Sequence, residues 1–482
     1  MEFNSLSYVL LLLVTSVLFF AAGYRARLVV LILASLVFYA AWNVPLVSLI
    51  VISAVVDYTA ARLLGEGDHG PGSPESERRR KLILAVSLVV NLGLLGYFKY
   101  ANFFLENLHE LLGVGDEGRW LDVVLPPGIS FYTFQTMSYT IDVYRRKIRP
   151  TTSFLRFFLY VSFFPQLIAG PIERAGHLLV QFDQAANQRF RVENLVSGGQ
   201  MILWGMFKKV VIADQCGLLC DRVYADPSQF DGWSALVATY AFTLQIYCDF
   251  SAYSEIARGS ARILGVDLMV NFDQPYLTRD ISSFWRRWHI SLSNWFRDYV
   301  YIPLGGNKRG KGRTLANLTI TMFLSGLWHG AAWTFVVWGL FHGVLLLLTA
   351  QLGDKVRARL PKGRAAWVGP ALGWFVTFHL VVIGWILFRA RDMREFATVC
   401  AAIGRELGLA VIGRGHAPSP EQLGFIAFVF AFVGASWLGR RYQVLDRIWR
   451  DPSGAVVFAA ALILAILALG LPNGPAFIYF QF

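Results

Sequence analysis

His329 stands in Ser325-Gly326-Leu327-Trp328-His329-Gly330, inside a stretch, Thr314–Gly353, that has no Asp, Glu, Lys or Arg. An ionisable side chain in such sequence is costly to bury and marks a functional site by default. General-base chemistry would use its neutral imidazole. Gly326 and Gly330, one turn apart, would let another helix or a ligand approach closely, and Ser325 and Trp328 flank the ring. A histidine packed between two helices is the alternative. His289 is the second candidate. Read as one helix, Ser283–Tyr301 sets Trp285, Trp288, His289, Leu292, Trp295, Phe296 and Tyr299 on one arc of about 120°. Arg286, Arg287, Ser291, Ser293, Asn294, Arg297 and Asp298 fall opposite. That is the pattern of an interfacial or re-entrant helix, with cations at the headgroups and aromatics against protein or acyl chains. Trp285, Arg286, Trp288, Ser293, Asn294 and Arg297 are therefore candidates for holding a substrate beside His289.

Two further segments carry polar chemistry. Gly305-Gly306-Asn307-Lys308-Arg309-Gly310-Lys311-Gly312-Arg313 is a glycine-rich basic loop. Its backbone N–H groups and Lys308, Arg309, Lys311 and Arg313 could hold donor phosphates, or could simply mark a cytoplasmic loop. It lacks the G-x-x-x-x-G-K-[ST] pattern. In Tyr247-Cys248-Asp249-Phe250-Ser251-Ala252-Tyr253-Ser254, residues Tyr247, Asp249, Ser251 and Tyr253 could wall a reaction chamber or cap a helix end. His342 and His379 lack flanking polar partners and read as packing residues. No G-x-S-x-G, H-E-x-x-H or G-x-G-x-x-G occurs, which removes the common hydrolase, zinc-protease and dinucleotide-binding readings.

The elements that must position these residues are membrane helices. The 482 residues are 55% hydrophobic and 16% charged, against about 45–50% and about 25% in soluble domains. The net charge of +12 fits cytoplasmic loops facing anionic lipid and argues against a nucleic-acid partner. Four cysteines without CxxC or Cys/His spacing imply neither a disulfide framework nor a metal.

Apolar runs of roughly 20 residues are expected to cross the bilayer. They are Ser5–Ala22, Leu28–Leu64 (too long for one crossing, with a break at Asn43-Val44-Pro45), Leu82–Phe98, Gly128–Tyr144, Phe154–Ile172, Leu195–Leu219, Trp233–Phe250, Thr314–Gly353, Trp367–Phe388, Leu423–Gly439 and Val456–Leu471. About eleven crossings plus re-entrant pieces follow. Basic clusters at Arg78–Lys81 and Arg145–Arg149 are expected in the cytoplasm, and the acidic loop Lys99–Leu125 outside. Counting back through three spans puts the N-terminus outside. Gly65–Pro74 reads as a surface loop, and no internal repeat is visible.

At these residues the chain resembles the membrane-bound O-acyltransferase family, in its bacterial polysaccharide (alginate) O-acetylation branch. The resemblance rests on Leu125-Pro126-Pro127-Gly128-Ile129-Ser130-Phe131-Tyr132, Leu167-Ile168-Ala169-Gly170-Pro171, Tyr247–Ser254, Phe284–Tyr301, Leu327-Trp328-His329-Gly330 and Phe477-Ile478-Tyr479-Phe480-Gln481-Phe482. It implies a ring of tilted helices around a central tunnel, with His329 as the catalytic histidine and His289 as the second motif histidine. It also implies an acyl, in this branch acetyl, group taken from a cytoplasmic thioester (acetyl-CoA or an acyl carrier protein) rather than from a bound cofactor. A periplasmic acetyltransferase partner would complete transfer to a secreted polysaccharide.

The expectation is thus an all-α polytopic protein of the bacterial inner membrane, one domain over residues 1–482. Residues 5–120 would supply N-terminal helices, 121–353 the catalytic core and 354–482 C-terminal helices. Transfer of D-alanyl groups to a cell-wall polymer, a transporter or flippase with a histidine proton relay, and a non-catalytic export scaffold are the alternatives. The absence of an inverted repeat speaks against the transporter, and a buried His329 against the scaffold.

Overall fold

The computed structural model describes residues 1–66, 74–113, 121–168, 170–359, 367–471 and 474–480. Most of the expected Gly65–Pro74 loop, the acidic Asp116 and Glu117, and Ala169, Gln481 and Phe482 of the motifs lie outside the described residues. Among the described residues, seven helices are long and apolar enough to cross a membrane: Val44–Gly65, Glu75–Leu112, Val192–Tyr224, Trp333–Gln351, Val368–Arg389, Pro420–Tyr442 and Pro452–Leu469. Leu6–Ala21 is apolar but shorter. The protein is a helical, multi-pass membrane protein. Its chain forms two compact units, Met1–Ile202 with Tyr253–Met269, and Leu203–Ala252 with Val270–Phe482.

In the first unit, the long apolar run breaks where expected. Tyr24–Ala40 ends before Asn43, Pro45 opens a short turn, and Val47–Glu66 follows. The helices Val47–Glu66, Pro74–Leu95 and Ile129–Tyr144 pack together around Asp57, which is wholly buried. An isolated carboxylate there would be expensive. Asp57 instead accepts hydrogen bonds from Ser87 Oγ, from Asn91 Nδ2 (2.7 Å) and from Thr140 Oγ1 (2.7 Å). One acid thereby ties three helices into a fixed register.

The second unit holds both candidate histidines. The charge-free run divides into Gly310–His329 and Trp333–Arg359, which pack as an antiparallel pair. Small residues set the approach: a Cβ on Gly326 would lie 2.2 Å from the Phe335 carbonyl oxygen, and one on Gly339 would lie 2.3 Å from that of Met322. Val368–Arg389 packs on the second helix of the pair. Side-chain caps from Asp280, Asp392, Ser419 and Asp451 start helices elsewhere in this unit.

Four expectations are corrected. Ser283–Tyr301 is not one helix: Ile281–Trp285 stops, His289 takes a left-handed φ of 42°, and Ile290–Phe296 then leads into a π-helical turn, Arg297–Tyr301. Hydrogen bonds to a preceding non-helical segment cause the break, because Ile290 N–H donates to the Asn271 carbonyl and Asp273 N–H to that of Arg287. Phe154–Ile172 supplies only the nine-residue helix Phe154–Ser162, too short to span, since the chain reaches Pro165, Gly170 and Pro171. Lys99–Leu125 is helical as far as Leu112. Tyr247–Ser254 lies inside the helix Gly232–Ile263, which contains no proline, so it caps no helix end.

Candidate active site

His329 is the last residue of its helix, and Gly330 leaves the helical conformation. A Cβ at Gly330 would meet the Phe335 ring at 2.1 Å, so any larger residue there would have to displace that ring. The His329 ring is nearly enclosed (3% exposed) by Trp328, Trp338, Phe388 and Tyr479, with ring centroids 5.0, 4.9, 5.2 and 5.8 Å away. His289 lies across Trp328, 5.7 Å from that ring and 4.7 Å from Phe250. Phe250 in turn packs on Tyr479 at 4.4 Å. The two imidazoles thus share an aromatic layer made of Trp328, Phe250 and Tyr479.

The tautomer of His289 follows from its neighbours. Asn271 Oδ1 accepts from Ser291 N–H (3.2 Å) and Ser291 Oγ (3.0 Å), so it is an acceptor oxygen. His289 Nδ1, 3.2 Å away, must therefore carry the proton and donate. Nε2 keeps its lone pair. His289 lies outside the apolar helices, and burial pushes its pKa down to about 3, so the ring is neutral at physiological pH. Asn271 was not singled out from sequence; an Asn in a polar connection carries no local signal.

The other candidates separate into distinct places. Trp285 packs on Trp338 (5.6 Å) and His342 (5.1 Å), and Trp288 on Trp385 (4.8 Å) and Phe272 (5.1 Å). Ser293 Oγ donates to the Trp288 carbonyl, while exposed Arg286 and Arg297 bond to Ser283 and Asp298. Asn294 is half-buried and Ser325 buried. Lys308, Arg309, Lys311 and Arg313 are all exposed. They flank the start of the helix that ends at His329, roughly 28 Å away along its axis. The basic loop and the histidine therefore occupy opposite ends of one helix.

The segment around Asp249 is committed to two lysines that the sequence reading passed over inside an apolar run. Lys209 Nζ pairs with Asp214 Oδ1 (2.8 Å) and Asp249 Oδ1 (3.1 Å), and donates to the Pro475 carbonyl (2.8 Å). Asp249 Oδ2 accepts from Ile478 N–H (2.8 Å). Lys208 Nζ donates to Ser251 Oγ (2.7 Å) and lies over the Tyr247 ring. This clamp holds the segment that delivers Tyr479 to His329. Tyr253 belongs to the first unit, where it stacks on Phe3. His379 is saturated, bonded to Tyr240 OH (2.9 Å) and the Phe375 carbonyl (2.8 Å), as a packing residue should be. Wholly buried His342 differs, with neither ring nitrogen hydrogen-bonded among the described residues.

Residues 79–388 match the model of the MBOAT, membrane-bound O-acyltransferase family. The chain belongs to the membrane-bound O-acyltransferase family. Both histidines and their aromatic layer, apart from Tyr479, fall within the matched region. The chain is 39% identical over 427 residues to the probable alginate O-acetylase AlgI of Pseudomonas putida, covering 84% of each chain. It is 44% identical over 320 residues to the AlgI of Pseudomonas aeruginosa, which is 66% of this chain and 58% of that protein. A peptidoglycan O-acetyltransferase of Helicobacter pylori is 36% identical over 343 residues, 66% of this chain and 63% of that protein. Two of these three relatives are thus matched over less than two thirds of their own length.

Proposed function

We propose that this membrane-bound O-acyltransferase family member is an O-acetyltransferase that moves an acetyl group from a cytoplasmic thioester towards a secreted polysaccharide such as alginate. The enclosed His329, one aromatic ring removed from His289, carries this reading. His329 takes the proton of an acceptor hydroxyl as that oxygen attacks the thioester carbonyl carbon. The C–O bond forms, the C–S bond breaks, and the leaving thiolate takes the proton from the imidazolium. Neutral His289 offers an acceptor at Nε2, which suits orienting a hydroxyl better than donating to an oxyanion. Aromatic walls exclude water, which would otherwise compete for the thioester.

The donor, acetyl-CoA or an acylated carrier protein, approaches from the side of the basic loop, with Lys308, Arg309, Lys311 and Arg313 meeting its phosphates. Its acyl arm then reaches along the helix to His329. The protein sits in the inner membrane with an extracytoplasmic N-terminus and hands the acetyl group to a periplasmic acetyltransferase. Labelling of a cysteine at Ser76 from outside intact cells would contradict that orientation. The function itself is tested with purified full-length protein in bilayer discs, given radiolabelled acetyl-CoA or acetylated carrier protein. Acetyl release or transfer that depends on His329 supports the reading, and equal turnover by a folded His329→Ala variant overturns it.

A further inference from the structure

We propose that the first unit contains a binding site for a phosphate-bearing anion, separate in its residues from the acyl-transfer site. A cleft of about 490 Å³ opens where Val47–Glu66 ends, beside Pro74–Leu95 and the chain following Ile129–Tyr144. Arg62, Arg80, Arg146 and Arg149 line it, with Leu64 and Val143 among its apolar wall residues, and among the described residues none that lines it is acidic.

Arg80 decides the matter. It is 4% exposed, and its guanidinium donates to the backbone carbonyls of Leu64 (2.7 Å) and Tyr144 (2.8 Å) and lies over the Tyr144 ring. Its Nε is buried without an acceptor, and among the described residues no carboxylate forms an ion pair with it. Among the described residues, Glu77 accepts from Tyr144 OH, and Asp142 pairs with Lys147. A buried cation served by two carbonyls and a ring face, with no carboxylate, is poorly compensated. A basic cluster that merely fixes topology needs exposed charges alone, so it gives no account of a guanidinium drawn into a cleft with a donor to spare. Phosphate oxygens match guanidinium forks, and several arginines around one opening suit a multiply charged group.

Two of the helices that form the cleft carry an apolar stretch of membrane-spanning length and each has one end at it, which sets it at headgroup level. The phosphate can come from an anionic phospholipid or from a soluble phosphate compound. Two arms distinguish them on full-length protein. In the first, protein reconstituted in equimolar phosphatidylglycerol and phosphatidylcholine is analysed for retained lipid by native mass spectrometry. In the second, delipidated protein in detergent is titrated with inorganic phosphate and pyrophosphate, reading thermal unfolding.

A several-fold retention of phosphatidylglycerol marks a lipid site, and stabilisation by phosphate or pyrophosphate without lipid preference marks a soluble one. Either effect should fall to parity in Arg62→Gln/Arg149→Gln, which alters less buried side chains. It should also weaken in Arg80→Lys, which keeps the charge and removes the fork. Gel filtration and the melting curve establish that each variant is folded. Neither effect in the wild type overturns the proposal. So does an effect that Arg80→Lys and the double variant leave unchanged, which would reduce the cleft to diffuse surface charge.

Discussion

His289 Nδ1 lies 3.2 Å from Asn271 Oδ1, across eighteen residues of sequence. Because the same oxygen also receives the Ser291 N–H, the contact fixes both the helix break at His289 and the ring nitrogen that stays unprotonated. A local reading of the Trp-His-Ile-Ser-Leu-Ser stretch contains neither fact.

Replacing Asn271 by Ala should therefore act on the chemistry through His289. It strands the Ser291 N–H and the His289 N–H, at about 1–3 kcal/mol for each unsatisfied buried group. Turnover should fall while the affinity for donor changes little, and Asn271→Asp, which keeps the acceptor, should recover part of the loss. Equal turnover in the folded Ala variant would leave Asn271 a packing residue.

The histidine pair should behave as one unit. His329→Ala is expected to slow acetyl transfer by about 10²–10⁴-fold, the usual worth of a general base. His289→Ala should slow it less, and the double variant should lose little beyond His329→Ala alone, since groups acting in one step are non-additive. Single-turnover rates on protein of verified folding measure this.

Lys209 should matter for folding before it matters for rate. Lys209→Met leaves Asp214 and Asp249 buried without their cation, a loss of about 3–5 kcal/mol for a broken buried pair. Lower thermal stability and faster proteolysis around Pro475–Tyr479 are expected. A variant with an unchanged melting temperature would show that the ion cluster is not a clamp.

Neutralising Lys308, Arg309, Lys311 and Arg313 together should weaken donor binding and flatten its dependence on salt, because exposed charge attraction is screened. Titration of the donor at low and high ionic strength reads both. Unchanged affinity and slope would leave the four as topology determinants.

One pH effect is expected far from the chemistry. In the first unit His177 Nδ1 lies 2.8 Å from the buried Glu173 carboxylate, whose hydrogen bond raises the histidine pKa. A raised value means a stabilising contribution that is complete below the unfolded pKa of about 6.5 and is lost as pH rises through the higher folded value. The melting temperature of the wild type should decline over that window relative to His177→Gln. Parallel curves would remove the pair from the stability of this helix.

Much of the scaffold was legible in the sequence because the hydrophobic requirement for crossing a bilayer is local and additive. The break at Asn43-Val44-Pro45, the apolar helices Val368–Arg389 and Pro420–Tyr442, and the close glycine at Gly326 all follow from residue type and spacing. The burial of His329 was legible too, since it stands in charge-free sequence. The amphipathic reading of residues 283–301 matches the burial of Trp288, His289, Leu292, Trp295 and Phe296, but not that of Ser291, which it placed opposite, nor the path of the backbone.

Only the tertiary structure decided that path and the shape of the site. Periodicity assumes that a backbone bonds to itself, whereas the Ile290 N–H and the Arg287 carbonyl give up helical partners for hydrogen bonds to Asn271 and Asp273 in another segment. The same holds for Lys209, which looked like a charge to be tolerated in an apolar run and proved to join Asp214, Asp249 and the Pro475 carbonyl. Tyr479 reaches His329 only through that clamp and the aromatic stack on Phe250. Sequence determines which groups are too costly to leave unpaired in a membrane; which partner each one finds depends on segments hundreds of residues apart, and that is settled only when the chain has folded.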